Sequence, residues 1–307
     1  MELTINFPPF ARTLLSTAGF EVHISGKRKD LLLSTCDHLF GDARTEEEVS
    51  VRIGGTNLLL NLANPSERLL YYAPENLLRS YRRSPLFSVI SRLATTPGLF
   101  IDIGANLGMY SLLARSVGLD ALLFEPEPVH FAFLRRNASS IGTPVACALS
   151  DESGTTQFFV SGSTNPGSSS LVMPEGGWTA SEYQQTVAVR VATFDSALAE
   201  LNVDPALIRL IKVDVEGNEE RTIIGMAEYL AGASAAPIWC EVRGSTSGRG
   251  RNSAYPVASF LRQFGYTPFQ CVGPQLVPFD LQKDEAPQVF DLLFAIPSHH
   301  AALGLRA

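Results

Sequence analysis

The chain has 307 residues and a mass of 33.3 kDa, enough for one large or two modest domains with a substantial core. Charged residues make up only 18% and hydrophobic residues 45%, with a mean hydropathy of +0.10, which excludes a chain disordered throughout. Lys and Arg number 24 against 31 Asp and Glu, so the net charge of −7 and pI near 5.3 advertise neither a nucleic-acid backbone nor an anionic membrane as partner.

In chain order, Met1–Gly19 lacks a basic start and carries Pro8-Pro9 in its apolar part, a poor secretory signal. No apolar run approaches the roughly 18 residues of a spanning helix. The expectation is a soluble, cytoplasmic protein. Val49–Ile53 and Asn57–Leu62 read as strands. Pro74-Glu75 opens a helix over Asn76–Arg83, with proline at its first position and an acid in its first turn. Ser84-Pro85 starts another helix that runs to Leu93, and Thr96-Pro97-Gly98 ends it.

From residue 98 the pattern becomes regular. Leu99–Ile103, Ala121–Phe124, Val145–Leu149, Arg209–Val215 and Ile238–Val242 read as strands. Leu107–Val117, Val129–Ile141, Glu219–Leu230 and Pro256–Phe264 read as helices between or after them. Gln157–Val160 and Thr186–Val191 flank a Ser/Gly/Pro-rich insertion, Ser161–Gln185, of a length that is usually functional or disordered. Thr193 caps a short helix over Phe194–Leu201. Thr267–Val272 and Val289–Ile296 close the pattern with no helix between them, as an antiparallel pair requires. Alternation of this kind predicts parallel βαβ units. The fold class is therefore α/β, a mostly parallel seven-stranded sheet with one antiparallel strand. Residues 1–96 form an N-terminal extension on the substrate side, 97–298 the main domain and 299–307 a tail.

The cysteines Cys36, Cys147, Cys240 and Cys271 form no CxxC. Cys147 and Cys240 lie in apolar runs, as core thiols do. Of the histidines, none sits in an HExxH pattern. His130 reads as structural or surface, and His299-His300 as tail.

In open α/β sheets, ligands bind beyond the carboxyl ends of the strands. Here five such ends carry small or acidic residues. The first turn reads Asp102-Ile103-Gly104-Ala105-Asn106-Leu107-Gly108. Its glycines permit close backbone approach and positive φ, and the helix start beyond it favours an anionic group. It is not GxGxxG, so the dinucleotide fingerprint is absent. Glu125 ends the next strand, where an acid accepts hydrogen bonds from a ribose diol. Ser150-Asp151 follows the third, Lys212-Val213-Asp214-Val215-Glu216-Gly217 the fourth, and Glu241 and Arg243 belong to the fifth.

FIDIGANLG at 100–108, FEPEP at 124–128, ALSDESG at 148–154, GSSSL at 167–171 and IKVDVEGNE at 211–219 resemble the FkbM family of S-adenosylmethionine-dependent methyltransferases. The resemblance covers about residues 97–296 and implies a Rossmann-like methyltransferase fold with S-adenosylmethionine as cofactor. It implies that Asp102 or its neighbours and the turn Gly104, Ala105, Asn106 and Gly108 hold the methionine part. Glu125, with Pro126, would hold the ribose, and Leu149, Ser150 and Asp151 the adenine. Asn218-Glu219-Glu220 departs from the more apolar helix start expected there.

Asp214 faces the methyl group in this reading, on both the cofactor and the catalytic side. Methyl transfer to a hydroxyl needs an aligned nucleophile and removal of a proton. Asp214, Glu216 and Glu241 are the candidates for base or orienting group. Three carboxylates also invite Mg²⁺, but no dedicated ligand pattern is present and no metal is assigned. Arg79, Arg82 and Arg83, and Arg249 and Arg251 in the Gly244–Ala254 segment, are basic residues within reach of an anionic acceptor or simply solvated. The expected reaction is O-methylation of a hydroxyl on a sugar, glycan or secondary metabolite, with neither nucleic acid nor a membrane span as partner. N-methylation, a nicotinamide-dependent oxidoreductase and a non-catalytic cofactor-binding module are the alternatives.

Overall fold

A computed structural model describes residues 48–161, 169–172, 183–244, 253–281 and 289–305, with Ser34 and Cys36. The central Ser161–Gln185 insertion, the arginines Arg249 and Arg251, and His23 and His38 lie largely or wholly outside the described residues.

The chain enters through a hairpin, β1 (Glu48–Ile53) and β2 (Thr56–Asn61), paired antiparallel in the order that buries Val49, Val51 and Ile53 on one face. Three helices follow: α1 (Pro65–Tyr72), α2 (Pro74–Arg82) and α3 (Pro85–Leu93). Each begins with proline at its first turn, where the missing N–H costs nothing. The Asn64 and Ser84 side chains accept from the backbone N–H of Ser66 and Phe87, which caps α1 and α3. The sequence pattern anticipates α2 and α3 but not α1, whose polar block Ser66-Glu67-Arg68 followed by Leu69–Tyr72 shows no helical spacing.

The main body contains β3 (Leu99–Ile103), α4 (Met109–Ser116), β4 (Asp120–Phe124), α5 (Pro128–Arg136), α6 (Ala138–Ile141), β5 (Thr143–Val145), β6 (Ala148–Leu149), β7 (Gly154–Ser161), β8 (Tyr183–Ala192) and α7 (Phe194–Glu200). It continues with β9 (Ile208–Val213), α8 (Glu219–Ile224), α9 (Ala227–Ala231), β10 (Ile238–Arg243), α10 (Ala254–Arg262), β11 (Thr267–Val272), β12 (Gln275–Pro278), β13 (Val289–Ala295) and α11 (His300–Leu303). The main sheet runs β12-β11-β13-β10-β9-β3-β4-β5. Its β10-β9-β3-β4-β5 half is parallel, and β13 lies antiparallel between β10 and β11.

The α/β, mostly parallel reading holds, with differences of detail. The sheet has eight strands among the described residues, not seven, and two of them are reversed. The extra strand, β12, turns back from β11 at Gly273-Pro274, which reads as loop in sequence. The single strand expected over Val145–Leu149 is two: β5 closes the main sheet, while β6 joins β7 and β8 in a separate three-stranded sheet. The helix expected over Glu219–Leu230 breaks at Gly225, where a Cβ would fall 2.0 Å from the carbonyl oxygen of Ser150. Residues after His299 form a helical turn that seats Leu303 in the core, more than a loose tail.

Two apolar clusters cover the two faces of the main sheet. The N-terminal helices share one of them with Phe100, Leu112, Leu210 and Leu293, so the described part of residues 48–93 has a core continuous with the sheet. Asn137 reinforces the junction: its amide oxygen accepts from Leu59 N at 2.8 Å and its amide nitrogen donates to Leu59 O at 2.9 Å.

Candidate active site

The parallel strands end on one side of the sheet, and the backbone there stays tightly tied. Gly104 N and Ala105 N both donate to Phe124 O, at 3.0 and 3.2 Å, and Asp214 N donates to Ile103 O at 3.1 Å. The first turn folds back with Gly104 at φ 75°, Asn106 at φ 49° and Gly108 at φ 71°. Glycine is obligatory at 104: a Cβ would sit 1.8 Å from the carbonyl oxygen of Asp214. The turns after β3 and β9 are therefore in direct contact.

Glu125 is 4% exposed and is held by backbone alone. Its Oε2 accepts from Asn106 N at 2.8 Å and its Oε1 from Glu127 N at 2.9 Å. A carboxylate has about four acceptor sites, so each oxygen retains capacity for a further donor. Burial pushes its carboxyl up, opposed by His130 and by the two backbone donors. Next to it, Glu127 caps α5 by accepting from His130 N, and the His130 ring contacts Asn64 of the N-terminal part at 3.1 Å. A small cavity between β2, α1 and this turn is lined by Asn106, His130 and Glu67. Glu67 is buried, and neither its Oε1 nor the Asn106 Oδ1 has a hydrogen-bond partner among the described residues. Burial raises the Glu67 carboxyl to about 8.

Asp102, 1% exposed, does not open onto solvent. Its Oδ2 accepts from the Ser111 hydroxyl at 2.7 Å, and its Oδ1 lies 3.3 Å from Lys212 Nζ. Lys212 is the residue sequence reasoning passed over. It is 5% exposed, pairs also with Asp214 Oδ2 at 3.2 Å, and donates to Gly104 O at 3.1 Å. Burial works against its charge, but Asp214 and Asp102 outweigh that and hold the ammonium above its ordinary range. The available signal was a lone lysine in an apolar strand, two residues before an acid. One ammonium thus joins the ends of β3 and β9.

Asp214, Glu216 and Glu241 come together. One carboxylate oxygen from each lies within 4.8 Å of the others, the only such group among the described residues. Glu216 sits at φ 55°, a conformation L-residues rarely take, and Gly217 follows at φ 109°. The Ser170 hydroxyl donates to Glu216 O at 2.8 Å, and Arg243 donates to its Oε2 at 2.9 Å. Burial, then Asp214, raises the Glu216 carboxyl to about 8, against the pull of Arg243. Glu241 is pushed well above its usual range by burial, Asp214 and Glu216. Like charges this close cannot all remain ionised without a compensating cation. The set fits an oxygen-liganded divalent ion or a positively charged ligand equally well.

The other residues that the sequence singles out have partners or positions of their own. Leu149 ends β6, and its carbonyl accepts from the Asn218 amide at 3.1 Å and the Thr222 hydroxyl at 2.9 Å. Ser150 is buried and donates to Asp151 Oδ1 at 3.1 Å. Asp151 also receives Arg221 Nε at 2.7 Å, so its carboxylate is tied to α8. Pro126 spaces Glu125 from Glu127, and Ala105 is buried beneath the turn. Glu219 accepts from Gly217 N at 2.8 Å, the ordinary service of an acid at a helix start.

A family model described as the methyltransferase FkbM domain matches residues 102–268. A curated relative, the 31-O-demethyl-FK506 methyltransferase FkbM of Streptomyces tacrolimicus, is 31% identical over 160 residues, 43% of this chain. The chain spans 61% of that relative's length. Among solved structures, the precorrin-6y C5,15-methyltransferase of Geobacter metallireducens is 14% identical with a TM-score of 0.36, over 68% of this chain and 85% of the other. The tRNA (uracil-54, C5)-methyltransferase of Pyrococcus abyssi, in complex with S-adenosyl-L-homocysteine, is 12% identical with a TM-score of 0.36, over 81% of this chain and 44% of that one. No helix among the described residues is long and apolar enough to cross a membrane.

Proposed function

This chain belongs to the FkbM methyltransferase family, and on that premise we propose that it transfers a methyl group from S-adenosylmethionine to a hydroxyl oxygen of a small molecule or glycan. The observation that carries the reading is the meeting of two halves at one point. The cofactor-side turn touches Asp214 through Gly104, and Asp214 in turn heads the cluster with Glu216 and Glu241.

When bound, the cofactor supplies an electrophilic methyl group on a positive sulfonium. The fit of the residues rests on Glu125, whose oxygens each keep acceptor capacity toward a diol, and on a turn with no room for a Cβ at Gly104. Backbone N–H groups of the Gly104–Gly108 turn at the start of α4 suit a carboxylate. Asp102 serves one layer behind: with Lys212 and Ser111 it fixes the turn's position. Lys212 holds Asp214 in place. Asp214 is the residue that would take the proton of the acceptor hydroxyl as the methyl group is transferred. Glu216 and Glu241 orient the acceptor, and a positive sulfonium beside them would favour their ionised forms. Leu149, Ser150 and Asp151 would border the adenine. The partner is a small molecule or glycan, and nucleic acid is not expected.

Calorimetric titration with S-adenosylmethionine and S-adenosylhomocysteine, with NAD as control, tests the class. Micromolar binding of the sulfur compounds alone is expected. Binding of NAD instead would replace the reading with a nicotinamide enzyme. Turnover lost in EDTA and restored by Mg²⁺ would assign the carboxylate cluster to a cation.

A further inference from the structure

We propose that Tyr81, delivered by the N-terminal helix α2, and Tyr110 of α4 form the apolar wall of the acceptor pocket and select acceptors with a ring face beside the methylated hydroxyl. The inference rests on the methyltransferase reading above.

Tyr81 continues the inward stripe of α2, three and four residues after Leu78 and Leu77, both buried. Tyr110 lies in the first turn of α4, two residues past Gly108. The rings meet edge to face, with centroids 5.2 Å apart and planes at 83°. Both are only partly buried, packed on one side against the core that the N-terminal helices share with the sheet. Their hydroxyl ends lie in the electrostatic neighbourhood of the reacting groups: Lys212, Asp214 and Asp102 for Tyr81, Lys212 and Asp291 for Tyr110. Ser84, the cap of α3, sits at the Tyr110 hydroxyl and ties this pair to the helix junction.

A perpendicular aromatic pair offers one face and one edge. A core needs nothing more than that, but here the pair packs against the apolar cluster on one side while the Tyr81 hydroxyl faces the charges of Lys212, Asp214 and Asp102 on the other. Carboxylates on one side and aromatic carbon on the other suit a ligand with hydroxyls along one edge and an apolar face. Saturated sugar rings and phenols share that chemistry. The N-terminal part thus contributes specificity through a residue of its own.

The test uses the full chain saturated with S-adenosylhomocysteine. Saturation-transfer NMR with methyl α-glucopyranoside, cyclohexanol and phenol as probes reads ring binding directly, and calorimetry reads the cofactor site. Ring protons of at least one probe are expected to show transfer in the unaltered protein. Tyr81→Ala and Tyr110→Ala should each weaken that probe about tenfold, with S-adenosylhomocysteine affinity changed less than about twofold. Tyr81→Phe, which keeps the ring, should retain the probe. The probe that binds distinguishes a saturated from an aromatic acceptor. Absence of binding by all three probes, probe binding that survives both alanine variants, or equal loss in Tyr81→Phe and Tyr81→Ala would overturn the proposal. Failure of S-adenosylhomocysteine itself to bind the unaltered protein would instead overturn the methyltransferase reading.

Discussion

The cleft has two acidic halves, built on opposite plans. At the end of β4, each oxygen of Glu125 is met by a backbone N–H, with Glu127 and His130 beside it. At the ends of β9 and β10, Asp214, Glu216 and Glu241 crowd one another, and only Lys212 and Arg243 offset them among the described residues. A carboxylate fixed by main-chain donors is rigid and pre-set for recognition. A cluster of mutually repelling carboxylates is a store of movable protons. On the proposed reading, the difference separates binding from chemistry within a single strand-end surface.

Lys212 is the point where that contrast is easiest to break. Lys212→Met leaves Asp102 buried without its cation and should cost about 3–5 kcal/mol of stability, read by denaturant unfolding; a loss below about 1 kcal/mol would show that the ion pair is dispensable. Asp214→Asn should lower kcat by roughly 10²–10⁴ and leave S-adenosylhomocysteine binding nearly intact; turnover that survives removes Asp214 as the base. Glu125→Ala should do the reverse, weakening the cofactor by about 1–3 kcal/mol while single-turnover chemistry at saturation stays close to normal. Equal effects of the two substitutions on binding would erase the division of labour.

Two smaller effects sharpen it. Glu216 holds its proton up to about 8 in the free protein, so a rate that needs the ionised cluster should climb as pH rises through that region. A flat profile from pH 6 to 9 would place the titrating group elsewhere. Away from the cluster, the buried Glu67 also titrates near 8. Its folded value lies above its unfolded one, so its contribution to stability is full below the unfolded value and is lost as pH rises toward 8. Glu67→Gln should therefore flatten the fall in Tm between pH 5 and 8 and leave the rate profile unchanged.

What sequence alone conveys follows the range of each interaction. The strand-and-turn rhythm from residue 99 onward is local, so Gly104, Glu125 and Asp214 could be placed at strand ends before any coordinates. Thr193 and Ser84 likewise announced their helix starts. Lys212 could not be read this way: its partner Asp102 lies on another strand, and a lysine on its own reads as surface. Tyr81 belongs with it, since only packing of α2 against α4 brings that ring to Lys212. The break at Gly225 depends on Ser150, far away in the chain. The split of Val145–Leu149 between two sheets depends on partners contributed by β4 and β8. The Glu216 backbone, at positive φ without being glycine, gives no warning in composition at all.

The absence of room at Gly104 bears on how such an enzyme diversifies. Because the turn after β3 rests against the Asp214 carbonyl, a lineage cannot reshape the end of β9 without disturbing that turn, which on the proposed reading holds the cofactor. Innovation is channelled to parts that approach the cleft from outside the sheet. The exposed face of α2 carries no such constraint, so on the proposed reading kinship among relatives should be clearest at the turn and faintest along the acceptor wall.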